Sequence, residues 1–119
     1  MTWLNTIRLN SKSADVRRHA LEALTEAKGV DTLDLLLAGL QDEEAEVRCA
    51  AARVLGERRE VQGVAQLIFA LRDHNTNVRE AAATALGRIR DPQAIPPLIW
   101  TLKELNSNTR ACAAAALRE

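Results

Sequence analysis

The chain has few aromatic side chains, with one Phe, two Trp and no Tyr among 119 residues. Hydrophobic residues still make up 47% of the sequence, which is typical of a folded globular chain, and many of them are alanine. A core of such small side chains depends on backbones that approach one another closely, because large interlocking rings are not available to fill it. The length and composition predict one small, tightly stacked domain.

The sequence also lacks an excess of charge of either sign, since 16 basic residues balance 16 acidic ones. Proteins that bind nucleic acids or membrane surfaces usually carry a basic excess, so neither is predicted as a partner. No apolar run approaches the roughly 18 residues of a membrane span. The first residues, MTWLNTIRLNSKS, lack the basic and apolar segments of a secretory signal. We therefore expect a cytoplasmic protein.

Residues that carry chemistry are sparse. Cys49 and Cys112 are too few for a disulfide framework, and the chain has no CxxC motif. We find no spacing of nucleophile and base typical of catalysis, no cluster of metal ligands and no glycine-rich phosphate loop. The sequence thus predicts no catalytic residue, no bound metal, no cofactor and no enzymatic activity of its own.

What the sequence does contain is one segment written four times. The stretch NVREAAATALG, residues 77–87, has near-copies that begin at Asp15, Glu46 and Asn108. The aligned positions 16, 47, 78 and 109 give a repeat of 31 residues. Four columns are shared, and they contain Val16, Val47, Val78 and Thr109; Arg17, Arg48, Arg79 and Arg110; Ala20, Ala51, Ala82 and Ala113; and Leu24, Leu55, Leu86 and Leu117. A period of this length predicts stacked supersecondary units.

The copied segment predicts the second helix of each unit, called here the downstream helix. Val78, Ala82, Ala85 and Leu86 recur at helical spacing and would form one apolar face. Capping residues stand at or near its start, and glycines follow its last leucine, namely Asp15, Glu46, Asn77, Asn108, Gly56 and Gly87. We expect each downstream helix to end soon after the glycine.

A first, upstream helix precedes each downstream helix. Its expected apolar face in the last complete unit comprises Ile95, Leu98, Ile99 and Leu102. Asp91 followed by Pro92 predicts a capped helix start. Pro96 and Pro97 interrupt the apolar pattern, so we expect a bend or a late restart of the helix there. The chain divides into a half repeat (1–14), three repeats (15–45, 46–76 and 77–107) and a partial repeat (108–119).

The stretch VREAAATALGRIRDPQAIPPLIWTLKE, residues 78–104, matches the pattern VRxxAAxALGxxxDxxAxxPLIxxLxD at almost every fixed position. In this the chain resembles the HEAT-like repeat family, in the short-repeat form named after phycobilisome lyases. The resemblance implies an all-α fold, a right-handed α-α superhelical solenoid of stacked helical hairpins. It also implies that the downstream helices line a concave face and the upstream helices form a convex one.

The arginine column lies on the apolar side of the downstream helices, where a charge requires a partner. We expect Arg17, Arg48, Arg79 and Arg110 to be structural residues. Their predicted partners are Asp42 and Asp73, with Glu104 in the same column, which would form a ladder along the stack. Anion binding by the arginines is the alternative.

The variable positions of the downstream helices would face the concave surface. The candidate partner-binding residues there are Arg18, His19, Glu22, Arg53, Glu57, Glu80, Thr84 and Arg88. Their mixed charge favours a protein partner. It is unlike the basic, aromatic wall of HEAT-like DNA glycosylases, although the same positions could simply be solvated. The HEAT-like deoxyhypusine hydroxylases carry His-Glu pairs, whereas Ala20 follows His19 and Asn75 follows His74 here.

Two further surfaces are candidates for contacts. One column of the upstream helices contains Ile7, Phe69 and Trp100, which would form an apolar line on the convex face. The alternative is that these residues are buried between neighbouring upstream helices. At the C-terminal end, Ala113, Ala116 and Leu117 would form an apolar patch. Either surface could support a homodimer.

Together these features predict a non-catalytic protein–protein interaction or scaffold module that presents a concave repeat surface to another protein. The alternative function is that of a subunit or relative of a bilin lyase, which acts on linear tetrapyrrole chromophores of phycobiliproteins. That alternative follows from the resemblance alone.

Overall fold

The computed structural model describes residues 8–27, 31–103 and 107–118, and within these ranges it contains α-helices, short 3₁₀ turns and no strand. The α-helices are α1 (Ala14–Glu22), α2 (Asp31–Gly39), α3 (Ala45–Glu57), α4 (Val64–Ala70), α5 (Thr76–Ile89), α6 (Ile95–Thr101) and α7 (Ser107–Leu117). The 3₁₀ turns Val61–Gly63 and Pro92–Ala94 precede α4 and α6. Helices α1, α3, α5 and α7 begin 31 residues apart, as the repeat requires.

The helices form two layers of a right-handed superhelical solenoid. The downstream layer consists of α1, α3, α5 and α7, and each of these helices packs against the next. The upstream layer consists of α2, α4 and α6, each of which packs against the downstream helix that follows it. Leucines such as Leu36, Leu55, Leu67 and Leu86 are buried between the layers and form one continuous core. The all-α solenoid predicted from the repeat is therefore confirmed.

Small residues hold the downstream helices close together. Ala50, Ala51 and Ala52 are completely buried. A Cβ atom placed on Gly56 would lie 2.7 Å from the Cα atom of Ala85 on the next downstream helix. Because α3 continues through Gly56 to Glu57, the glycine serves this close approach, and its predicted role near the helix end is secondary.

The helix ends differ from the expected ones in two respects. The N-caps of α1, α3 and α5 are Ser13, Glu44 and Asn75, two residues before the predicted capping residues. The Asn75 side-chain oxygen accepts hydrogen bonds from two backbone N–H groups at the start of α5. The left-handed conformation after α3 and α5 is adopted by Arg59 (φ 52°) and Arg90 (φ 63°), where glycine would be usual.

The upstream helix α6 restarts after a 3₁₀ turn, as the prolines predict. The Asp91 side chain accepts a hydrogen bond of 2.8 Å from the backbone N–H of Gln93. Pro96 and Pro97 lie in the first turn of α6, where backbone N–H groups have no helical acceptor. The predicted apolar face is only partly buried, because Leu98 is buried but its three companions are exposed.

Candidate protein-binding groove

An arginine–aspartate ladder connects the repeats at the start of the downstream helices. Arg17 donates two hydrogen bonds to the carboxylate of Asp42, at 2.8 and 3.1 Å. Arg48 donates to Asp73 at the same two distances. Two-pronged pairs of this kind fix the relative orientation of the groups that they join. Both pairs have the partners expected from the columns, whereas Glu104 lies outside the described residues.

A second contact makes the ladder continuous. The remaining arm of each arginine donates to a backbone carbonyl oxygen six residues earlier. The acceptors are Ser11 for Arg17, Asp42 for Arg48 and Asp73 for Arg79, at 2.7, 2.7 and 2.8 Å. Each aspartate thus accepts from the arginine of the preceding repeat and from that of its own repeat. Arg110, the fourth member of the column, is exposed on α7.

The surroundings of the two aspartates favour their charged forms. Burial by itself raises the pKa of Asp42 and Asp73. Hydrogen bonds from the arginines and from the backbone N–H groups of Glu44 and Asn75 outweigh this effect, and both pKa values lie below the ordinary 3.8. Both carboxylates are therefore ionised at neutral pH, and the ladder holds adjacent repeats in register.

A groove of about 550 Å³ crosses the downstream layer. Ala81 and Ala85 of α5 lie in its centre. Its other lining residues come from four helices: Arg18 from α1; Glu46, Cys49 and Arg53 from α3; Asn77, Glu80, Thr84 and Arg88 from α5; and Cys112 from α7. A small apolar centre with charged walls of both signs can accept a ligand that carries apolar and charged groups together.

Ion pairs across repeats organise one end of the groove. Arg53 of α3 donates to Glu22 of α1 at 2.8 Å, and Arg18 donates to the other oxygen of Glu22 at 3.0 Å. All three side chains remain between 30% and 45% exposed. Exposed pairs contribute little stability, so these charges can exchange partners when a ligand binds.

The two thiols lie along the same groove, Cys49 on α3 and Cys112 on α7, on either side of α5. Both are free. Burial raises the pKa of Cys49, and the positive charge of Arg53 offsets this only partly. The Cys49 thiol is therefore protonated at neutral pH and is a weak nucleophile.

The groove contains most of the predicted concave residues. Arg18, Arg53, Glu80, Thr84 and Arg88 line it, and Glu22 is connected to it through Arg53. His19 and Glu57 are exposed but do not line it. The sequence analysis missed Glu46 and Asn77 as groove residues. They occupy one column, 31 residues apart, and this shared register was the available signal.

The histidines are solvent-exposed side chains. His19 Nδ1 lies 2.8 Å from the carbonyl oxygen of Asp15, one helical turn earlier. Across residues 8–27, 31–103 and 107–118, no three His, Cys, Asp or Glu side chains are grouped so that they could hold a metal ion. Within the same ranges, no helix has the length and apolar character needed to span a membrane.

The predicted convex residues border a second, more apolar cleft of about 440 Å³ between α4 and α6. Phe69 is 73% exposed and Trp100 is 46% exposed, so the alternative that they are buried between the helices is wrong. The guanidinium of Arg72 lies 5.0 Å from the centre of the Trp100 ring, a cation–π distance. Ile7, the third predicted member, lies outside the described residues.

The expected apolar patch on α7 is absent. Ala113 and Ala116 are buried and Leu117 is half-buried, because these side chains face the core between α5, α6 and α7. The exposed apolar side chains at this end belong to α6. They are Ile95, Ile99 and Leu102.

The family model for HEAT repeats matches residues 3–73 and again residues 64–119, so the chain belongs to the HEAT-repeat family. Its fold is similar to that of a chain in the complex of CpcE and CpcF of phycocyanin lyase from Nostoc sp. PCC7120. The TM-score is 0.71 at 24% identity, over 98% of this chain and 64% of that one. The chain thus spans less than two thirds of that neighbour. No curated protein matches its sequence.

Proposed function

We propose that the chain is a protein-binding subunit of a lyase-like assembly that acts on linear tetrapyrrole chromophores, and that the groove receives the ligand. The observation that carries this proposal is the groove itself, which crosses four downstream helices. The fold supports it, since nearly the whole chain is similar to a chain of a phycocyanin lyase complex. Of the two functions predicted from the sequence, this likeness favours the lyase-related one.

The chemistry of the groove suits such a ligand. A linear tetrapyrrole is a conjugated, largely apolar chain of rings that carries carboxylate side chains. Ala81 and Ala85 provide a small apolar centre against which flat rings can lie. Arg53 and Arg88 line the same groove and can donate to the carboxylates. The volume of about 550 Å³ lies within the range usual for small-molecule sites.

The test is a titration of a linear tetrapyrrole with the purified chain, followed by its visible absorbance. We expect a saturable spectral change that weakens at least tenfold when Arg53 and Arg88 are both replaced by Gln, because two carboxylate partners are lost. The matched control replaces Arg72 and Lys103 by Gln, which removes the same charge from the outer surface. No spectral change with the wild-type chain, or equal weakening in both variants, would refute tetrapyrrole binding in the groove.

A second candidate is the non-catalytic scaffold, in which the groove binds a protein segment only. The Arg53–Glu22 pair favours it, since mutually paired charges suit a partner surface that carries both signs. Replacing Arg53, Glu57, Glu80 and Arg88 together should leave the fold intact and weaken such a partner. If a partner isolated by pull-down binds this variant as well as wild type, the groove is not the binding surface.

A further inference from the structure

Helix α6, with the sequence IPPLIWT, is apolar on every side but is enclosed on only one. Of its seven residues, Leu98 and Thr101 are buried. Ile95 and Ile99 are 48% and 49% exposed, and the adjoining Leu102 is 36% exposed. Helices that are apolar all round are normally enclosed by other parts of the protein. The flank formed by Ile95, Ile99 and Leu102, called here the α6 flank, is therefore an interface that lacks its second side.

The preceding repeat shows how such a flank is covered. Val64, Ile68 and Leu71 occupy the same columns, 31 residues earlier. Val64 and Leu71 are only 3% and 1% exposed, and Ile68 is half-buried. The turn Pro92–Ala94 and helix α5 pack beside α4 in this region. The α6 flank is thus the continuation of the stacking surface inside the solenoid.

Another repeat in the same register would not fit well there. Downstream helices approach closely because Gly56 leaves room for Ala85. The glycine column continues at Gly87 and then reaches Arg118, which is exposed. An arginine at this position obstructs the close approach of a further downstream helix. The flank therefore requires an occupant that covers α6 without stacking closely on α7.

We infer that two copies of the chain pair through their α6 flanks about a two-fold axis, with the two α6 helices antiparallel. A two-fold axis places the same apolar residues opposite one another and closes the assembly at two chains. The flank has no charged member, so pairing buries no unpaired charge. Antiparallel packing brings the end of α6 next to Asp91 towards the end next to Lys103 of the other copy, and it opposes the helix dipoles favourably.

The pairing leaves the groove open, because the groove lies on the downstream layer and the flank lies at the end of the upstream layer. It also differs from a contact through Phe69 on the outer surface. The inference therefore does not depend on the proposed function, and either can fail without the other.

Sedimentation equilibrium of the purified chain tests the pairing. We expect a monomer–dimer equilibrium that Ile99→Lys weakens at least tenfold, because the substitution places a charge in the apolar contact. Ile99 is half-exposed, so the fold should tolerate the lysine. Phe69→Lys introduces the same charge at an exposed apolar residue of α4 and should leave the equilibrium unchanged. Circular dichroism confirms that both variants are folded.

Three results would overturn the inference. The first is a chain that stays monomeric up to about 1 mM, where even weak specific association is detectable. The second is a dimer weakened by Phe69→Lys and not by Ile99→Lys, which would place the contact on the outer surface. The third is growth beyond dimers, which indicates head-to-tail stacking.

A cross-link distinguishes the two-fold arrangement independently. Ile99→Cys in a Cys49→Ala, Cys112→Ala background has one thiol per chain. A bismaleimide that spans roughly the 8–10 Å between packed helices should join two copies of this variant. The same reagent should not join copies that carry the single thiol at Phe69→Cys. Absence of the Ile99→Cys cross-link in a sample that sediments as a dimer would contradict antiparallel α6 pairing.

Discussion

Asp73 belongs to two repeats at once. Its carboxylate accepts two hydrogen bonds from Arg48, and its backbone carbonyl oxygen accepts one from Arg79 of the next downstream helix. Its carboxylate also accepts from the backbone N–H of Asn75, which caps α5. One residue therefore sets the start of α5 and the position of α3 relative to it. The ladder acts as a positioning device, and any stabilising contribution is secondary to this role.

This arrangement predicts an acid sensitivity that can be assigned to the ladder. The pKa of Asp73 is lowered in the folded state, so the unfolded chain binds more protons as the pH falls through the ordinary value of 3.8. Stability from the pair is fully present at neutral pH and is lost as the pH falls below about 4 towards the lowered value. Urea unfolding between pH 7 and pH 3 should show this loss.

Asp73→Asn provides the comparison, because an amide at this position does not titrate. The variant should be less stable at neutral pH but should lose less stability between pH 5 and pH 3 than wild type, with Asp42 still contributing. Equal losses in the two proteins over this range would show that the Asp73 pair does not contribute to the acid sensitivity.

At the scale of helices, the contact between α3 and α5 depends on a missing side chain. Gly56 lies within α3 and faces Ala85, and the space between them is too small for a methyl group. Repeats with small residues at this contact can be stacked closely even though the chain has few aromatic rings to fill larger gaps. This explains why the alanine-rich composition still yields a continuous core.

Gly56→Ala should lower the free energy of unfolding by about 1–2 kcal/mol. The cost of overpacking, about 1–3 kcal/mol, exceeds the gain of up to about 1 kcal/mol from the better helix propensity of alanine. Gly63→Ala is the control, since its nearest neighbour is the flexible end of Leu55 at 3.3 Å and its cost should be smaller. Urea unfolding measures both. A Gly56→Ala variant as stable as wild type would mean that the helices separate without cost.

The helix scale also shows how far the sequence predicts this molecule. Equal spacing of the columns predicts the layers, the ladder pairs and the late start of α6, because these depend on local pattern. The same pattern places Ile99 and Leu102 in the core, since it cannot tell whether another hairpin follows. Glu22 and Arg53 occupy one column in successive repeats, so their pairing could have been predicted from the register. The groove lining required the packing of four helices and could not.

For the molecule as a whole, the stack predicts uneven local stability. Helices α3 and α5 each lie between two other downstream helices, whereas α7 packs against α5 and α6. In a stack stabilised by nearest neighbours, the terminal units open first. Native-state hydrogen exchange should therefore show the slowest amides in α3 and α5, with those of α7 exchanging at least about tenfold faster. Equal protection in all downstream helices would indicate a single all-or-none unit.

The constant spacing of the ladder makes the length of this molecule an adjustable quantity. Residues 45–75 contain one full hairpin, with Arg48 near the start and its acceptor Asp73 near the end. A second copy of this segment inserted after residue 75 would place a new Arg48 six residues after an Asp73 carbonyl oxygen, where Arg79 lies now. Both junctions would then recreate existing contacts. Each duplication would lengthen the groove by about one helix spacing, roughly 10 Å, so binding length could change without a new interface being invented.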